Sequence, residues 1–138
     1  MKKATLRVVP LLLVLVLLLA SCTGTPAAWE DATYTEDTEL GEGAMTITLL
    51  VTADEKTVTF TLHTDKTNLA DAMLELDLCA GDVGDYGLYI TYVNGIRADY
   101  DLDGGYYWNL LVDGEASMSG ASFAMIVPGS TYELVRTK

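Results

Sequence analysis

Apolar and polar residues alternate through "MTITLLVTA", which sets Ile47, Leu49 and Val51 on one side, and again through "TVTFTLHT". In the second run Val58, Phe60 and Leu62 oppose Thr59, Thr61 and His63. Two half-buried strands follow, and the short polar connection Asp54-Glu55-Lys56 makes them an antiparallel hairpin. The period then changes. Leu69, Ala72, Met73, Leu76 and Leu78 or Cys79 recur at three- and four-residue intervals, with Thr67 or Asn68 as N-cap, Asp71 near the positive end and Gly81 as a stop. The spacing predicts one amphipathic helix of about three turns. "GDVGDYG" reads as a loop, "LYITYVNG" as a strand ending at the Asn94-Gly95 turn, and "IRADYDLD" as its shorter return. "YYWNLLVDG" is a strong strand closed by Asp113-Gly114, and "TYELVRT" is the last, entered through Pro128-Gly129. Hairpin, helix and further strands are the order of an α+β domain, a β-grasp-like mixed sheet with one helix packed on one face. A two-layer sandwich with the helix at its side is the other arrangement this order permits.

The first 21 residues carry a different pattern. Lys2, Lys3 and Arg7 precede an apolar run from Val8 to Ala20, the charged and hydrophobic regions of a secretory signal peptide. The run falls short of the ~20 residues a spanning helix needs. It ends in "LASC", which resembles the lipobox of bacterial lipoproteins and makes Cys22 the lipidated first residue of the mature chain. The expected location is the extracytoplasmic face of the cell membrane, held by a lipid anchor.

Removing residues 1–21 takes three of eight basic residues and none of the twenty acidic ones, so the charge becomes 5 − 20 = −15. Such a chain is repelled by phosphate backbones, which excludes nucleic acid as a partner. Residues 23–43 hold six acids, no base and no apolar period. Residues 22–43 therefore read as an acidic, disordered tether, and residues 44–138 as the single folded domain. With Cys22 lipidated, Cys79 has no intrachain partner, and its apolar context predicts a buried thiol.

Catalytic signals are weak. His63 is the only histidine and faces away from the apolar side of its strand; no Gly-x-Ser-x-Gly turn, zinc set or phosphate-binding glycine loop accompanies it. The domain is expected to be non-enzymatic. "ADYDLDGGYYWNLLVDG" supplies two candidates for binding. Asp99, Asp101 and Asp103, with Gly104, match the first half of a helix-loop-helix calcium pattern, but Leu110 stands where the bidentate Glu belongs. If extended, same-face carboxylates emerge roughly 6.6 Å apart, too far for one ion, so only a curled segment could hold calcium. The second candidate is the aromatic strand, with Tyr106 and Trp108 on one face and Tyr107 on the other, suited to a flat ligand or a partner surface.

"YVNGIRADY", "YYWNLLVDGEA" and "VPGSTYELV" resemble the small C-terminal β-domain of transcobalamin and intrinsic factor, and a related bacterial domain-of-unknown-function family frequent in surface lipoproteins. The resemblance covers residues 57–138 and implies a β-grasp-like sheet with one helix and a surface able to cover a corrinoid. Carried over residue by residue, it marks Tyr107, Trp108 and the Asn94-Gly95 turn as contacts; Tyr106 joins them on strand geometry. In the vertebrate carriers the domain closes over cobalamin held against a helical barrel. A lid alone leaves most of a corrinoid exposed and binds it weakly. The expected function is a membrane-anchored binding module for a corrinoid-like small molecule or a cell-surface protein, with calcium binding or cation-stabilised adhesion as the competing reading.

Overall fold

The computed structural model describes residues 25–138. The signal segment and Cys22 lie outside the described residues. Nine strands and one α-helix follow a 3₁₀ turn at Ala27–Trp29: β1 (Thr38–Gly41), β2 (Met45–Ala53), β3 (Lys56–Thr64), α1 (Leu69–Glu75), β4 (Cys79–Gly84), β5 (Gly87–Val93), β6 (Ile96–Arg97), β7 (Tyr107–Val112), β8 (Glu115–Ala116) and β9 (Thr131–Thr137). A second 3₁₀ turn, Ala121–Phe123, precedes β9. The domain is α+β, as its pattern predicts.

The hairpin β2–β3 forms with Leu49 opposite Phe60 and Val51 opposite Val58. Its loop is two residues long, and Asp54 and Glu55 both take positive φ, 48° and 65°, the pair of values a twist-matched two-residue turn requires. The last strand, β9, returns parallel to β2, and β7 runs antiparallel to β9 on its far side. The order β1-β3-β2-β9-β7-β8 thus has the first and last long strands side by side at its centre, the β-grasp arrangement. Inward residues form rows across the strands: Phe60, Leu49 and Tyr132 in one, Val58, Val51, Leu134 and Leu110 in the next. All are buried. Burial of each such side chain contributes about 1.5–3 kcal/mol.

Two elements cover this face. The helix α1 places Leu69, Ala70, Ala72 and Met73 in the core, and a separate three-stranded sheet, β4-β5-β6, adds Cys79, Ile90, Val93 and Ile96. That second sheet differs from the expected single mixed sheet. The predicted loop "GDVGDYG" is instead the tip of the β4–β5 hairpin. The helix also stops earlier than its apolar spacing predicts. Asn68 caps it by accepting the Asp71 amide at 2.9 Å, but Asp77 takes φ 54°, which turns the chain so that the Leu78 amide bonds back to Met73 O. Leu78, in the connection after the helix, and Cys79, the first residue of β4, are both buried from outside the helix.

The larger correction concerns residues 25–43. Their acidic composition predicts a disordered tether, yet in the structure they pack onto the domain. Trp29 is 1 % exposed and donates its Nε1–H to Ala53 O at 2.8 Å, while Lys56 Nζ lies 4.8 Å over its ring. The Ala28 amide bonds to Asp54 at 2.9 Å, and Tyr34 meets Phe60 edge-on at 5.7 Å. Strand β1 then adds to the sheet parallel to β3, and Asp37 accepts the Thr59 amide at 2.9 Å. Order here comes from isolated aromatic anchors and one short strand, none of which produces a period in sequence.

Candidate functional site

The two sheets do not close completely along β5. A cavity of about 180 Å³ lies between β5, β7, β9 and the segment before the second 3₁₀ turn; Leu88, Tyr89, Trp108, Leu110, Ser117 and Gly120 are among its walls. A second, of about 480 Å³, lies toward the other end of β5, between Ala27, Ala28, Asp31, Tyr92, Arg97, Asp103 and Arg136.

Trp108 reaches the first cavity from β7. It is 9 % exposed, on the inward face, and it is the one buried side chain among the described residues whose polar atom, Nε1–H, finds no acceptor. A buried donor left unmade costs about 1–3 kcal/mol. Around the β4–β5 hairpin and the 3₁₀ turn, Val83, Tyr86, Tyr89, Met118 and Phe123 are exposed. Leu88 N–H donates to Ser122 Oγ at 3.0 Å, which ties the hairpin to that turn. An exposed aromatic and thioether rim beside a small cavity with an unsatisfied donor can hold a flat ligand by apolar contact and one polar group by a hydrogen bond.

The other aromatic and turn residues fall in different places. Tyr107 is on the opposite face of β7 and 38 % exposed, so the structure does not bring it to Trp108. Tyr106 lies outside the strand, with Arg136 Cζ 3.9 Å and Lys138 Nζ 5.4 Å from its ring centre. Asn94 is wholly buried and is not a surface contact. Its side chain accepts the Tyr34 amide at 2.8 Å and donates to Tyr34 O at 2.7 Å, while its own carbonyl accepts the Thr33 amide. The Asn94-Gly95 turn therefore clamps the N-terminal segment. A Cβ on Gly95 would stand 2.5 Å from Asp31 O, so glycine is required by that close approach as well as by φ 78°.

Asp99, Asp101 and Asp103 do not lie in an extended strand, because β6 ends at Arg97. The chain curls, and Gly104 and Gly105, both at positive φ, lead it into β7. The curl turns the carboxylates to internal partners. Asp103 takes Arg97 Nη2 at 2.7 Å and Nε at 2.9–3.0 Å and accepts the Asp99 amide at 2.8 Å. Asp99 accepts the amides of Asp101 and Leu102 at 3.1 and 3.3 Å. The hydrogen bonds from Arg97, then that from the Asp99 amide, hold the Asp103 carboxyl below its ordinary range. Among the described residues no three His, Cys, Asp or Glu side chains assemble as a metal-holding group. The predicted aspartate trio thus forms a self-contained loop.

His63 lies on the outward face of β3, between Thr46 at 3.0 Å and Glu39 of β1 at 2.5 Å. Cys79 is 8 % exposed, and burial pushes its thiol up to about 12. Sequence reasoning missed Arg136 and Arg97; the alternation of β9 puts Arg136 directly opposite Trp108, which was the available signal.

No family model matches the chain. No curated protein matches it either. Among solved structures, the chain is similar to a candidate metal-binding protein from Ruminococcus gnavus, at 27 % identity and a TM-score of 0.62, covering 68 % of this chain and 97 % of that one. It is also similar to haptocorrin in complex with cobinamide, at 20 % identity and a TM-score of 0.54, over 72 % of this chain. The chain spans about a quarter of haptocorrin's length, 26 %. The haptocorrin likeness shows the fold alone.

Proposed function

We propose that the protein is a lipid-anchored, non-enzymatic binding module on the extracytoplasmic face of the membrane, and that its ligand is a corrinoid-like small molecule. One observation carries the proposal: the buried, unpartnered Trp108 Nε1–H in the wall of a cavity of about 180 Å³. That volume admits a side group and not a macrocycle, whose body must lie over the exposed Tyr86, Tyr89 and Met118. The peripheral carboxamides of a corrinoid are acceptors of the right size, and a small turn of the indole toward the cavity makes the missing bond. The fold shared with haptocorrin supports this reading. Contact over one surface only makes the affinity modest, and a cell-surface protein presenting the second wall would raise it.

The test is a titration of the mature chain with cobinamide and cobalamin, read from the indole ¹⁵N–¹H resonances. Trp108 is expected to move saturably, while Trp29, already bonded to Ala53 O, stays in place as the internal control. A Trp108 resonance unmoved at millimolar ligand sinks the small-molecule reading. Calcium added in a parallel series tests the cation reading, which predicts movement of the Asp99–Asp103 amides instead.

A further inference from the structure

The cavity of about 480 Å³ has a chemistry unlike the rest of this acidic chain. Of the five basic residues in the mature sequence, three meet around it: Arg97 and Arg136 line it, and Lys138 shares the Tyr106 ring with Arg136. Arg97 is committed to Asp103. Arg136 makes no salt bridge, although its charge acts on Asp103 across the cavity and helps to lower that carboxyl. Among the described residues no carboxylate comes within 4.0 Å of it, and residues 1–24 contain none. Yet its guanidinium is fixed: its Cζ lies 3.9 Å from the Tyr106 ring centre, and Nε donates to Arg97 O at 2.9 Å. The terminal nitrogens make no hydrogen bond among the described residues. A partly buried arginine held by its stem and its ring contact, with its fork unused, is preorganised for a bidentate oxyanion.

We infer that this cavity binds a phosphate oxyanion and that a phospholipid headgroup is its source. The source follows from chain length. Because Trp29 is packed in the core, the tether is not the 21 residues that composition implies; Ala27, on the cavity wall, stands five residues after Cys22. Five residues span at most about 18 Å. An acyl chain on Cys22 therefore keeps the cavity within reach of the headgroups, while the net charge of the remaining surface turns it away from them. The assignment of the source rests on the anchored reading; the phosphate site itself does not.

The experiment uses the mature chain with Cys22→Ser, so that no acyl chain contributes. Inorganic phosphate is expected to move the Arg136 Nε–Hε resonance saturably. Vesicles of phosphatidylglycerol with phosphatidylcholine should bind the chain more tightly than phosphatidylcholine alone, and Arg136→Gln should reduce that binding about five-fold. Asp31→Asn, which removes a carboxylate from the cavity wall, should strengthen it by a similar factor, and Lys66→Gln, remote from the cavity, should leave it unchanged. Melting curves establish that each variant is folded. Failure of phosphate to move Arg136 overturns the site. Phosphate binding with vesicle affinities unchanged by Arg136→Gln overturns the lipid source. Mass spectrometry of the membrane-extracted protein tests acylation of Cys22 separately, so loss of the anchor and loss of the phosphate site are distinguishable.

Discussion

Two acidic stretches of this chain look alike in composition and behave oppositely. Residues 29–43 carry six carboxylates and 99–103 carry three. In the first, the charges mostly face water while a few uncharged or aromatic groups, Trp29 and Tyr34 chief among them, fasten the backbone to the core. In the second, the carboxylates themselves do the fastening, through Arg97 and the loop's own amides. Net charge identifies neither behaviour. What decides it is whether a segment has a distant partner that can take its backbone or its rings, and that information is held elsewhere in the chain: Asn94 for Tyr34, Ala53 for Trp29, Arg97 for Asp103.

The contrast can be broken from the N-terminal side first. Trp29→Ala empties a wholly buried site and removes the bond to Ala53 O, and should cost about 3–5 kcal/mol; denaturant titration measures it. A true tether would show no change. Asn94→Ala comes next. It leaves the Tyr34 amide and carbonyl unpaired in a buried setting and puts a Cβ-only residue at φ 52°, and should cost about 2–4 kcal/mol. Hydrogen exchange should then show residues 31–41 opening while the β2–β3 hairpin stays protected.

On the other stretch the effects are smaller. Asp103 has its carboxyl held below the ordinary range by Arg97, so its contribution is complete above its unfolded value, near 3.9, and is lost as pH falls through its lowered folded value. Asp103→Asn should lower the melting temperature less than Asn94→Ala at neutral pH, and the difference from wild type should shrink to nothing in strong acid. Smallest of all, Asp101→Ala alters an exposed side chain and should stay within about 0.5 kcal/mol of wild type. Calcium should not shift the melting temperature of either protein. A calcium shift present in wild type and absent in Asp101→Ala would restore the cation site.

Period-two and helical spacing made β2, β3, β7, β9 and α1 legible, because each of these elements buries one regular stripe. The α+β class, with a helix packed on one face of a β-grasp-like sheet, also followed from element order. The second sheet was legible in part: β5 and its short return β6 were read from their pattern, but β4 was not, because it carries glycines and aspartate where a half-buried strand would show alternation, most of it being solvent-facing on both sides. The site was legible in part. Trp108 was identified from its strand, but the contact role given to Asn94 was wrong in kind, because Asn94 is a buried clamp, while Gly95 beside it lines the cavity of about 480 Å³. Arg136 went unseen because its place opposite Trp108 depends on the pairing of β7 with β9, which joins positions far apart in the chain.

One further property follows from β1. Strand β3 is nine residues long, alternates Val58, Phe60 and Leu62 with threonines, and would otherwise present its outer backbone row to other molecules. The parallel strand β1 pairs with Phe60 to His63, and the Asp37 carboxylate takes the Thr59 amide just beyond. The same short acidic segment is thus a guard against edge-to-edge polymerisation. Proteolytic nicking at Glu42 or Ala44, both exposed between β1 and β2, would free that guard to dissociate. The cut domain should then self-associate through β3, and its turbidity on standing would report how much of the protein's solubility resides in four residues.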